Sequence, residues 1–84
     1  MNYRLLISLE ALEFIEALPK STRQRLRSRL VAMLDEPAIY SDYAHYEANG
    51  KRLDVHIFGP YAVYFWDDFA DHDLKIIRIC KADK

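Results

Sequence analysis

Gly50-Lys51-Arg52-Leu53-Asp54-Val55-His56-Ile57-Phe58-Gly59-Pro60-Tyr61-Ala62-Val63-Tyr64-Phe65-Trp66 reads as two adjacent strands joined by a tight Gly-Pro turn. Side chains alternate along a strand, so Leu53, Val55 and Ile57 share one face, and Arg52, Asp54 and His56 share the other. The alternation predicts that the apolar trio packs into a core. The ionisable trio would then lie on the open face of a half-covered sheet, where a ligand can reach it.

Working outward, Asn2 to Ile7 is rich in Tyr, Leu and Ile and reads as a first strand, followed by Ser8 as a helix N-cap. Leu9, Leu12, Ile15 and Leu18 recur at helical spacing, with Phe14 widening the stripe and Glu10, Glu13 and Glu16 on another face. Pro19 is expected to end this helix. Ser21-Thr22-Arg23-Gln24 matches a capping box, which predicts a second helix running to about Leu34 with Leu26, Leu30, Met33 and Leu34 buried. Pro37 stops it. The aromatic link carrying Tyr40, Tyr43, His45 and Tyr46 reads as a connection into the next strand. After the Gly-Pro turn come a strand over Tyr61 to Trp66, a polar loop over Asp67 to Asp73, and a last strand over Leu74 to Cys80. The expected fold is therefore α+β: an N-terminal strand, a two-helix hairpin, then a three-stranded antiparallel meander in one sheet, with the helices on one face.

The 84 residues allow a single domain, 1–84, and a small core. At 51% hydrophobic and with only two glycines, the chain has the composition of a folded protein rather than a disordered one. A formal net charge of −1 gives no overall attraction to nucleic acid, so any RNA or DNA contact has to come from a local patch. The lone Cys80 excludes an internal disulfide, and no apolar run approaches membrane-spanning length, which predicts a cytoplasmic protein without membrane contact.

The order of elements carries a particular motif: Gly50-x-Arg52, alternating hydrophobics, Gly59-x-Tyr61-x-Val63-x-Phe65, an acidic hairpin and an Ile-rich terminal strand. Together they resemble the RelE/ParE superfamily of bacterial toxins over essentially the whole chain. The resemblance implies the toxin half of a type II toxin–antitoxin module, neutralised by a cognate antitoxin. It further implies either a ribosome-dependent mRNA endonuclease (an mRNA interferase that inhibits translation) or a gyrase inhibitor of the ParE kind. A catalytically inactive relative acting as a protein-binding module is the third alternative. Where ribonuclease members commonly carry Arg after the turn Tyr, this chain has Ala62. It also ends Cys80-Lys81-Ala82-Asp83-Lys84, with lysines in place of the His, Tyr or Arg that many members supply there.

Attack by an RNA 2′-hydroxyl needs a proton acceptor, a positive group on the phosphate and help for the leaving oxygen. Arg52 matches the family's Arg in the strand before the turn and is the candidate phosphate contact, with Arg78 on the last strand beside it. His56 or Lys81 would handle protons. Arg52 and His56 share a strand face but stand roughly 13 Å apart when extended, so a phosphate bridges them only with a neighbouring strand's help. His56 also reads as a structural or surface histidine, and Asp54 as a simple salt-bridge partner of Arg52 or Arg78. RNA contacts are assigned to Lys51 and to Arg23 and Arg27, in the basic stretch Lys20 to Arg29. That stretch reads equally as a solvated face paired with the glutamates of the preceding helix, or as an antitoxin contact. Aromatic residues of the Tyr61 to Trp66 strand that stay outside the core are candidates for stacking on bases. Asp67, Asp68, Asp71, His72 and Asp73 do not match a calcium loop and read as a solvated hairpin tip, so no metal and no cofactor is expected.

Overall fold

The computed structural model describes residues 2–82. Strand β1 (Arg4–Ile7) leads into helix α1 (Leu9–Glu16) and helix α2 (Lys20–Ala32), then a 3-10 turn (Pro37–Tyr40). Four further strands follow: β2 (Tyr43–Tyr46), β3 (Arg52–Phe58), β4 (Tyr61–Asp68) and β5 (Asp73–Lys81). They form one five-stranded sheet in the order β1-β5-β4-β3-β2, with β1 parallel to β5 and every other pair antiparallel. The fold is the α+β architecture expected from the sequence, with one strand added. The added strand, β2, lies in the aromatic link. It is half-exposed and pairs on one side only, so it lacks the apolar alternation that marks a buried strand.

The Gly59-Pro60 turn is a two-residue hairpin closing the Phe58–Tyr61 pair, and Gly59 takes φ 59°, a conformation that glycine adopts without steric cost. Ser8 caps α1 as expected, its Oγ accepting from Ala11 N at 3.1 Å. The buried stripe of α1 is Ala11 and Ile15, with Phe14 and Leu18 packed against them, while Leu9 and Leu12 are exposed. The rotation is set at the start of the helix, where Ser8 donates from its N to Ile76 O at 2.9 Å and from its Oγ to Ile77 O at 2.7 Å. The capping box at Ser21 does not form. Pro19 does not simply end α1; it is the N-cap of α2, and its carbonyl accepts from Arg23 N at 2.8 Å, so Ser21 already lies within the first turn. Leu26 and Leu30 on α2 and Met33 at its C-cap are fully buried, as their spacing predicts, whereas Leu34, expected with them, is only half-buried because it lies past the end of the helix.

The core lies between the helices and one face of the sheet, where Ala11, Ile15, Leu26, Leu30 and Met33 meet Val63, Phe65, Leu74, Ile76 and Ile79. Register then corrects the reading of β3. His56 pairs with Val63, and Asp54 with Phe65, so Arg52, Asp54, His56 and Phe58 are on the side that the helices cover. Leu53, Val55 and Ile57 face the other way, onto the uncovered face. Alternation fixes which residues share a face but not which face meets the helices, and the larger apolar set on β4 and β5 decides that. Leu53 and Val55 are still buried, because the flanking strands place aromatic side chains around them on the open face.

A bulge shapes β5. Tyr64 pairs with Arg78 but Phe65 pairs with Ile76, so Ile77 is the extra residue. Leu74 and Ile76 point into the core, and unbroken alternation would send Arg78 there too. The bulge turns Arg78 out to the open face and brings Ile79 in.

The acidic hairpin tip is not simply solvated. Asp68 and Asp73 are buried, the first held by Lys75 Nζ at 3.1 Å and the second by Arg4 Nε at 2.9 Å. No helix among the described residues is long and apolar enough to cross a membrane.

Candidate functional site

The residues singled out in the sequence divide between the two sides of the sheet. Arg52 lies at the rim of the helix side, its Nη2 on Asp54 Oδ1 at 3.0 Å, and Ser41 Oγ donates to the same carboxylate oxygen at 2.7 Å. Lys81 pairs with Tyr61, in the row that also holds Phe58 on the helix side. Arg23 and Arg27 are on α2, across the sheet from the open face. Arg23 Nη1 reaches Leu18 O at 3.4 Å, and Arg27 is ion-paired with Glu16, as the solvated-face alternative requires. Asp83 and Lys84 of the tail lie outside the described residues. Arg78 and Lys51 are on the open face, and Lys81 also lines the pocket at its edge. The expected convergence of Arg52, His56, Arg78 and Lys81 around one phosphate is therefore not formed.

His56 is a fastening. It is only 7% exposed. Its Nε2 lies 3.0 Å from Arg29 Nη1, which can only donate, so the ring proton is on Nδ1, facing Asp42 Oδ2 at 3.1 Å. Asp42 Oδ2 also accepts from Ile57 N at 2.7 Å, Tyr40 sets its ring edge-on to the imidazole at 5.2 Å, and the Arg29 guanidinium covers Phe58 at 4.6 Å. The bracket ties α2, the 3-10 turn and β3 together, and leaves neither ring nitrogen free for a substrate.

The open face is different in kind. Tyr43, Val55, Tyr64 and Arg78 form one row across β2, β3, β4 and β5. The Arg78 guanidinium covers the Tyr64 ring at 4.3 Å and stands 3.7 Å from Glu47 Oε2. The same carboxylate oxygen is 2.9 Å from His45 Nε2, and the His45 ring meets Tyr64 edge-on at 5.2 Å. Two residues further along β4, the ammonium groups of Lys51 and Lys75 lie over the Trp66 ring at 4.1 and 4.5 Å. Each such contact is worth about 0.5–1 kcal/mol at an exposed site, and it keeps the aromatic faces and the cations side by side. Partial desolvation, with Tyr64 next to it, pushes the Tyr43 hydroxyl above its ordinary range, so at neutral pH it remains a hydrogen-bond donor. A pocket of about 470 Å³ opens beside this row, lined by Tyr43, Ile57, Ala62, Tyr64, Cys80 and Lys81.

Cations held against aromatic rings on an uncovered sheet face suit a single-stranded nucleic acid: guanidinium and ammonium groups for phosphates, ring faces for bases. His45 and Glu47 did not stand out in the sequence. Their signal was the i, i+2 spacing of an imidazole and a carboxylate at the end of a strand, and it becomes legible only once β2 is recognised as a strand. Among the described residues, the carboxylates of Asp68, Asp71 and Asp73 lie within 4.8 Å of one another, but Lys75 and Arg4 already neutralise the two that are buried.

No protein-family model matches the chain, and no curated protein matches it. Solved structures do. A chain of the archaeal RelE–RelB complex from Pyrococcus horikoshii OT3 superposes with a TM-score of 0.79 at 21% identity, covering 96% of each chain. A chain of the toxin–antitoxin complex RelBE2 from Mycobacterium tuberculosis gives a TM-score of 0.83 at 13% identity over 98% of this chain and 100% of that one. The isolated E. coli RelE toxin gives 0.77 at 19% identity, over 98% of this chain and 86% of that one. The chain thus has the fold of RelE toxins.

Proposed function

We propose that this protein is the toxin of a type II toxin–antitoxin module, a cytoplasmic single-domain protein that cleaves messenger RNA on the ribosome at its open sheet face and is neutralised by a cognate antitoxin. The shared fold supports the general reading, since similar chains occur in complexes of RelE with RelB. The observation that carries the ribonuclease assignment is the row ending at Arg78, whose guanidinium is stacked on Tyr64 and lies beside a histidine–carboxylate pair on a face that no helix covers. Arg78 holds the scissile phosphate, Lys51 neutralises a flanking one, and Tyr64 and Trp66 offer ring faces to the bases.

The test is growth and RNA integrity after induced expression in a bacterial host, with Arg78→Ala beside the wild type. Growth arrest with transcript cleavage, lost in Arg78→Ala, is the expected result. One observation favours a second reading: Ala62 stands in the row with Ile57 and Cys80 on the open face, where no cation follows the turn tyrosine. Arrest with intact RNA assigns the target to a protein, gyrase among the candidates, and absence of arrest assigns the chain to the inactive relatives.

A further inference from the structure

The chain has three histidines, and their surroundings separate them sharply. His56 is buried with both ring nitrogens engaged. His72 stacks flat on Tyr3, centroids 4.5 Å apart and planes 8° apart, at the acidic hairpin tip. His45 alone lies on the open face. Its side chain is 39% exposed, it is oriented by a carboxylate, and through that carboxylate it is linked to Arg78.

We propose that His45 is the general base of the ribonuclease site and that Glu47 is its positioning residue, a proposal that rests on the ribonuclease reading above. Glu47 is firmly placed, since the turn from Glu47 to Lys51 is closed by Glu47 N to Lys51 O and Gly50 N to Glu47 O, both 2.8 Å. Gly50 holds φ 87° there, and Asn49 Oδ1 accepts from Lys51 N at 2.9 Å. With the carboxylate on Nε2, the ring proton sits on Nε2 and the lone pair is on Nδ1, the arrangement by which a carboxylate orients an imidazole as a base. At 3.7 Å the Arg78–Glu47 contact is an ion pair longer than a hydrogen bond, so the guanidinium keeps N–H groups for phosphate oxygens.

The step balances as an internal transesterification. Nδ1 of His45 takes the proton of the RNA 2′-hydroxyl as the 2′ oxygen bonds to phosphorus, and the bond from phosphorus to the 5′ oxygen breaks. The leaving oxygen takes a proton from water, and the products are a 2′,3′-cyclic phosphate and a 5′-hydroxyl end. Glu47 carries the charge opposite the imidazolium until the ring returns its proton to solvent. Arg78 meets the negative charge that grows on the phosphate oxygens.

The experiment is single-turnover cleavage of messenger RNA on programmed ribosomes by purified wild type, His45→Gln, Glu47→Gln and Arg78→Ala, with the melting temperature of each measured first. His45→Gln should lower the rate by about 100-fold or more, the usual contribution of a positioned base, with ribosome binding unchanged. Glu47→Gln should lower it by about 10-fold. The pH–rate profile of the wild type should carry an acidic limb that the residual activity of His45→Gln lacks. The charged and titratable groups facing His45 are Glu47, Arg78 and Tyr64, with Tyr43 on the same strand face. Should His45→Gln misfold, His45→Ala rescued by added imidazole gives the same answer. A His45→Gln rate within threefold of wild type, with Arg78→Ala inactive, overturns the proposal and leaves the ribonuclease reading standing. A wild type that cleaves nothing overturns both.

Discussion

Ser8 Oγ donates to the carbonyl of Ile77 at 2.7 Å, and Ile77 is the residue extruded where β5 bulges against β4. The hydroxyl therefore does two jobs, capping α1 through Ala11 N and satisfying a carbonyl that the ladder has released. Since the bulge is what turns Arg78 to the open face, the start of a helix on one side of the sheet helps set the site on the other. Ser8→Ala removes both bonds and should cost about 2 kcal/mol, combining a lost N-cap with a stranded carbonyl. In a domain of this size that is a fall of roughly 8–16 °C in melting temperature. Thermal unfolding followed by circular dichroism measures it, and Ser8→Thr should recover most of the loss.

His56→Ala should act on stability rather than on chemistry. The substitution strands the Arg29 guanidinium over Phe58 and removes one partner of Asp42, a loss of about 1–3 kcal/mol. Denaturant unfolding should show an earlier midpoint. Cleavage per folded molecule, measured well below that midpoint, should match the wild type, and a folded variant without activity would return His56 to the site.

The acidic hairpin tip makes stability depend on pH. Asp68 is held below the usual carboxylate range by its hydrogen bond to Lys75 and then by the Asp71 backbone, against the opposing effect of burial. A depressed folded value stabilises the fold above the unfolded value of about 3.9, and the contribution disappears as the pH falls through the folded value. Lys75→Met should therefore melt well below the wild type at neutral pH, with the gap narrowing below about pH 4. A small gap should persist, because Lys75 also covers Trp66. A gap that stays constant with pH would sever the link between Lys75 and Asp68.

The helices, the Gly59-Pro60 hairpin and the order of elements were legible because each rests on a local signal: a capping serine, an apolar stripe on α2, a glycine where φ is positive. The site was not, because it depends on three facts that no local pattern carries. Alternation in β3 gave two faces without saying which one the helices would take. Leu53 and Val55 look like core residues and are buried, yet what surrounds them is the aromatic layer of the open face. The bulge at Ile77 inverts the parity of the last strand, so Arg78 and Ile79 exchange the faces that counting from Leu74 assigns them. His45 lies on a strand whose sequence shows no strand-like alternation, and Glu47 directly follows that strand, at the start of the turn to Lys51.

The two arginines that the sequence placed side by side should separate in one assay. Arg52 is exposed at the helix-side rim and paired with Asp54, and an exposed pair of this kind contributes about 0–1 kcal/mol. Arg52→Ala should fold, melt within a few degrees of the wild type and cleave ribosome-bound RNA at a comparable rate. Arg78→Ala should also fold, since its guanidinium lies on the surface of Tyr64 rather than in the core, but should lose about 100-fold or more in rate, the scale of losing one preorganised charge at a reacting phosphate. If Arg52→Ala is the inactive variant and Arg78→Ala the active one, the reacting phosphate sits at the helix-side rim and the open-face assignment fails. The pair separates the two faces of the sheet because both variants remove the same charge and are expected to leave the core untouched.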